Sequence, residues 1–142
     1  MQAQNDAYYP CLCSALSLSV NDLAEIGGFS DRFARDLVAG RRPWPADVCE
    51  ALDLLDDDVD VMTDSLVADV EEGLGAIFVY RTTVELRAHF RAWPGRGKSG
   101  GGFAGPHRVA AIAAHGALDA RGIEVSLLFF TSADASASAK TR

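Results

Sequence analysis

Two hydrophobic patterns run along this chain, a helical stripe and a pair of short unbroken apolar runs. From Val48 through Leu52, Leu55, Val59, Met62 and Leu66 to Val70, apolar residues recur at steps of 4, 3, 4, 3, 4 and 4. That spacing keeps them on one narrow side of a helix. No Gly or Pro interrupts Ala46 to Glu72, so the span reads as one long helix or as two. A bend near Asp56, Asp57 and Asp58, or a fresh start at Thr63, Asp64 and Ser65, would divide it into two. The apolar runs lie further on. Ala76 to Tyr80 and Ile123 to Phe130 read as strands.

Punctuation residues place the remaining elements. Pro10 suits the start of a short helix over Cys11 to Leu18. Ser19, with Asp22 three residues later, resembles a capping box. Leu23, Ala24 and Ile26 then supply a buried side that ends at Gly27 and Gly28. Ser30 is placed to cap a second helix carrying Phe33, Ala34 and Leu37, and Gly40 to close it. Pro43, Trp44 and Pro45 separate it from the long stripe. Thr82 or Thr83 can cap a helix to Phe90, and Pro106 can open another that stops at Gly122. The expected fold is mainly α, α+β overall. A five-helix-type helix-turn-helix domain over 9–73 precedes a small strand-helix-helix-strand portion over 74–131, and 132–142 read as a disordered tail. A two-stranded sheet is marginal alone, which points to support from helices or a partner chain.

Charge sharpens the division. The chain of 142 residues carries a net charge of -7. Residues 46–75 hold 11 acidic residues and no basic one, residues 1–45 sum to -1, and residues 76–142 sum to +5. The total disfavours simple coating of a polyanion, but binding follows local potential. No apolar run is long enough to cross a membrane. A basic head with an apolar stretch is missing from the N-terminus, so no signal peptide is expected. Cys11, Cys13 and Cys49 have neither redox-pair nor zinc-site spacing and read as reduced thiols. A cytoplasmic location follows as the expectation.

Within 19–40 a helix, a tight turn and a second helix fit into 22 residues. The second helix would present Asp31, Arg32, Arg35 and Asp36 to solvent. Arg32, Arg35, Arg41 and Arg42 place four arginines within eleven residues. Arginine is the usual reader of guanine edges, and a helix of this length fits a major groove. The stretch L-S-V-N-D-L-A-E-I-G-G-F-S-D-R-F-A-R-D-L-V-A-G resembles the helix-turn-helix of Cro and lambda-repressor (XRE) regulators. The resemblance matches Ala24 to the small packing residue, Gly28 to the turn, and Ser30, Asp31 and Arg32 to the start of the recognition helix. It matches Arg35 to a base-facing position and sets Arg41 and Arg42 near phosphates. Gly27, Ala34 and Val38 depart from the family pattern. With G-R-R-P-W-P after it, the layout is also similar to regulators associated with anti-CRISPR genes.

Other signals carry less. Ala92 to Ser99 fits a relaxed phosphate-loop pattern, but a helix precedes it and more glycines follow. A connecting loop is the plainer reading, with Arg96 and Lys98 available to phosphates. His89, His107 and His115 lack ligand spacing and suit packing, capping or solvent. Trp44 reads as an anchor between the helix-turn-helix and the rest. No metal, cofactor or catalysis is expected. The expected function is a dimeric repressor that binds double-stranded DNA through Ser30, Asp31, Arg32, Arg35, Arg41 and Arg42. A protein-interaction module such as an antitoxin is the alternative, then a small nucleotide-binding enzyme built on 92–99.

Overall fold

The computed structural model describes residues 6–94 and 102–131. Its elements are α1 (Tyr8–Ala15), α2 (Val20–Gly27), α3 (Asp31–Val38), α4 (Ala46–Glu71), β1 (Ala76–Val79), α5 (Thr83–His89), α6 (Ala104–Ala120) and β2 (Ser126–Phe129). The fold is mixed α+β and mainly helical. The glycine segment with Arg96 and Lys98, and the tail expected at 132–142, lie outside the described residues.

The long stripe forms a single helix of 26 residues. Val48, Leu52, Leu55, Val59, Met62 and Leu66 are all buried along it, and Val70 is half-buried. No break falls at 63–65, because the Thr63 hydroxyl donates back to the Val59 carbonyl at 2.8 Å. That bond belongs to a helix interior and not to a cap. Four helices therefore precede β1, where a five-helix arrangement was expected. One acid of the belt, Asp58, lies buried within the stripe.

Two helices start earlier than their prolines suggested. Pro10 and Pro106 both occupy the third helical position, in α1 and α6. Amides in a first helical turn have no partner within the helix, so a missing N–H costs nothing there. The opening of α6 is secured from α5, where the Thr83 hydroxyl accepts from the Ala104 amide at 3.1 Å.

β1 and β2 form a parallel pair in which Ala76 faces Ser126 and Val79 faces Phe129. Ile77 and Val79 point into the core. The most extensive helix pair is α4 with α6, and Ala110, Ala111, Ala114 and Leu118 of α6 are all buried in the core the two share. Alanines at three of those four positions let the two axes approach closely. One hydrophobic cluster runs from Leu12 and Leu23 through α4 to Ile77 and Leu118. The strand-helix-helix-strand order is present, but its helix α6 and the first four helices share this one core.

Candidate nucleic-acid interface

The hairpin of α2 and α3 is held by local bonds that the sequence encodes. Ser19 Oγ accepts from the Asp22 amide at 3.1 Å, and the Asp22 carboxylate accepts from the Ser19 amide at 3.0 Å. Asp thus completes a capping box in place of the usual Glu or Gln. Gly28 takes the left-handed conformation, φ 70°, that ends α2. The Gly28 and Phe29 amides both donate to the Ala24 carbonyl, at 2.8 and 3.1 Å. A Cβ on Gly27 would stand 2.0 Å from the Phe29 ring. The departure from the family pattern at Gly27 therefore has a cause: the Phe29 ring occupies the space that a side chain would need.

Ser30 Oγ accepts from the Phe33 amide at 3.1 Å and starts α3. Ala34 and Leu37 are completely buried, which fixes how α3 rotates against α2 and α1. Small Ala34 permits that close crossing where the family pattern has a branched residue. Val38 stays largely exposed.

The six residues singled out from sequence fall into three sets. Ser30 and Asp31 serve the hairpin. Ser30 is the cap, and the Asn21 amide, oriented with its nitrogen toward Asp31, donates to both carboxylate oxygens at 2.6 and 2.9 Å. Arg32 and Arg35 are exposed and, among the described residues, have no ion-pair partner. Three residues apart on a helix, they share one side of α3. Arg41 and Arg42 form the third set. Arg41 Nε lies 2.8 Å from one oxygen of Asp36, and Arg42 Nε lies 3.5 Å from the other. The Arg42 guanidinium also sits 5.3 Å from the Phe33 ring centroid. The Arg41 hydrogen bond, with Arg42 adding to it, holds the Asp36 carboxyl below the usual carboxylate range.

Asp36 as the hub of two arginines was not legible beforehand. Its partners lie beyond the Gly40 turn, where helical spacing rules stop applying. The Glu25 and Arg87 pair was also missed. Arg87 donates from Nη1 to one Glu25 oxygen at 3.0 Å and from Nη2 to the other at 2.5 Å. Its Nε donates to the Gly102 carbonyl at 3.0 Å. This forked contact ties α2 to α5 and to the end of the glycine segment. No sequence signal links residues 62 positions apart.

Trp44 does act as an anchor. Its ring lies 5.7 Å from that of Tyr9, whose hydroxyl donates to Asp53 on α4 at 3.2 Å. Burial, with the Asp53 carboxylate adding to it, pushes the Tyr9 phenol up to about 12. The turn carrying Arg41 and Arg42 is thereby fixed against the start of the acidic helix. Further along that helix, burial and then repulsion from Asp60, Asp57 and Asp53 raise the Asp56 carboxyl above its usual range.

His107 is completely buried in an aromatic nest. Phe90, Tyr80 and Trp93 lie 4.7, 5.5 and 6.5 Å away between ring centroids. Among the described residues neither ring nitrogen has a hydrogen-bond partner. His89 stacks near Phe130 at 4.7 Å. No group of three metal-ligating side chains occurs among the described residues. No helix among them is long and apolar enough to cross a membrane.

No protein-family model matches the chain, and no curated protein matches it. Residues 18–40 form a capped pair of helices, and no match assigns them to a family.

Proposed function

We propose that this chain is a sequence-specific regulator of transcription that reads double-stranded DNA with α3. One observation carries the reading. Ala34 and Leu37 lock one side of α3 into the core, and the opposite side presents Arg32 and Arg35 to solvent. A capped, rigidly seated helix with two arginines on its open side suits a major groove. Each bidentate arginine-guanine contact discriminates by about 1–3 kcal/mol. Arg41 and Arg42, oriented by Asp36, would contact phosphates beside the groove. Such contacts position the protein without reading sequence.

The acidic helix supports specificity in this reading. Its carboxylates follow directly after Arg42 and oppose non-specific attraction to the backbone, which is electrostatic. The bound protein would act by occupancy, as a dimer on a two-fold site, and would need no cofactor.

Selection of sites from random duplex DNA tests the proposal. An enriched motif that disappears with Arg32→Ala and Arg35→Ala is the expected result. Absence of any enriched motif at moderate salt overturns it. Retention of the same motif by the double variant overturns the role of α3.

A further inference from the structure

We infer that β2 pairs with β2 of a second copy of this chain, antiparallel, about a two-fold axis through Leu128. The inference rests on the dimeric reading above and gives that dimer its surface.

The first ground is an unprotected edge. Among the described residues the sheet has two strands, so one side of β2 pairs with β1 and the other meets no strand. Leu128 and Phe129 on it are 48% and 43% exposed. Proteins usually blunt such an edge with charge, proline or a bulge. Val125 to Thr131 contains no charged residue and no proline.

The second ground is the direction of the backbone groups. The Ser126 amide donates to the Gly75 carbonyl and the Phe130 amide to the Val79 carbonyl. Even-numbered amides of β2 therefore point toward β1. Alternation turns the amides and carbonyls of Leu127 and Phe129 outward. An axis through Leu128 sets Leu127 of one copy opposite Phe129 of the other. Both outward residues then exchange their bonds as a hydrogen-bonded pair, twice over. Leu128 meets its own copy at the close, non-hydrogen-bonded position between them.

The faces agree with this register. Residues opposed across that axis have the same parity, so the core-side residues Leu127 and Phe129 stay on one side of a continuous four-stranded sheet. A slip of one residue breaks this match; a slip of two keeps it and moves the axis to Leu127 or Phe129, which the cross-linking below distinguishes.

Charge permits the approach despite the net -7 of each copy. The edge lies outside the acidic belt, in a portion that sums to +5, and the Arg81 guanidinium sits 3.8 Å from the Phe129 ring centroid, so charge adds no attraction between the copies. Glu124 lies four residues from the axis, so the two copies' carboxylates stand about 27 Å apart along paired strands. That exceeds a Debye length of about 8 Å at physiological salt.

The test uses the full chain without DNA. In a background with Cys11→Ser and Cys49→Ser, Leu128→Cys is mildly oxidised beside Leu127→Cys. Two cysteines at a non-hydrogen-bonded pair have Cα atoms about 4.5 Å apart, within disulfide reach. A covalent dimer from Leu128→Cys and none from Leu127→Cys is expected. Light scattering should give twice 15.1 kDa for the unmodified chain and 15.1 kDa for Leu128→Lys, with unchanged circular dichroism. A monomeric unmodified chain, a persistent Leu128→Lys dimer, or equal cross-linking at both positions overturns the inference. A monomer that still selects a DNA motif removes this interface and leaves the DNA reading standing. A dimer cross-linked through Leu128 that selects no motif does the reverse.

Discussion

Acid should destabilise this fold through His107 before it reaches most carboxylates. The imidazole is completely buried among Tyr80, Phe90 and Trp93. Burial, with the Arg108 charge adding to it, lowers its pKa from 6.5 to about 4. The unfolded chain takes up a proton near 6.5, but the folded chain refuses it until about 4. Between those values the unfolded state binds more protons, so stability falls as pH falls and levels off below about 4. The full difference is about 3 kcal/mol, and about 2 kcal/mol is already lost at pH 5. A domain of this size has only about 5–15 kcal/mol in total. Urea unfolding of the unmodified chain and of His107→Leu, at pH 7 and pH 5, isolates the contribution. Leucine gives up no hydrogen bond here, because neither ring nitrogen has a partner among the described residues. At pH 7 the variant should be neutral to somewhat more stable. Its advantage should grow by about 2 kcal/mol at pH 5. Parallel pH profiles for the two proteins, or an imidazole titrating near 6.5 by NMR, would refute the reasoning.

Other expectations follow from single contacts. Asp36→Asn removes the charge that Arg41 and Arg42 share. Non-specific duplex affinity should rise, the slope of log affinity against log salt should steepen by about 1, and site discrimination should fall, all readable by fluorescence anisotropy. Asp36 pairing should also outlast ordinary carboxylate titration, fading only as pH drops through its lowered pKa. Gly105→Ala places a Cβ 2.0 Å from the Ser17 carbonyl oxygen, so the junction of α6 with the α1–α2 connection must shift. Overpacking of that kind costs about 1–3 kcal/mol, and an unchanged urea midpoint would contradict it. Ser30→Ala should cost about 1 kcal/mol through the lost cap and leave the selected DNA motif unchanged.

Local chemistry was legible in the sequence, and distant chemistry was not. Ser19 and Ser30 act on amides three residues away, so both caps could be read directly; Thr82 and Thr83 are alternatives by sequence, and Thr82 is the cap. The stripe from Val48 to Leu66 was equally plain, because helical period and burial are the same statement there. Its continuity past Thr63 depended on a side chain bonding backward rather than capping forward. The starts of α1 and α6 were misplaced because a proline is tolerated anywhere in a first turn. At the candidate interface, the exposure of Arg32 and Arg35 followed from their phase relative to Ala34 and Leu37. The tethering of Arg41 and Arg42 by Asp36 required the fold of the turn between them. The shared core of α4 and α6 required contacts across more than thirty residues, which periodicity does not encode.

Helix α4 has a mechanical consequence. It starts four residues after Arg42 and ends five residues before β1, so it joins the arginine-bearing turn to the sheet. At 1.5 Å per residue it is about 39 Å long. A tilt of about 5° at the sheet end would displace the arginine end by about 3.4 Å, the rise of one base-pair step. On the DNA-binding reading, the spacing between two half-sites is therefore set by the stiffness of this rod and its seating on α6. Substitutions in the buried Ala110–Ala114 contact could shift the preferred spacing by a base pair while leaving every arginine in place.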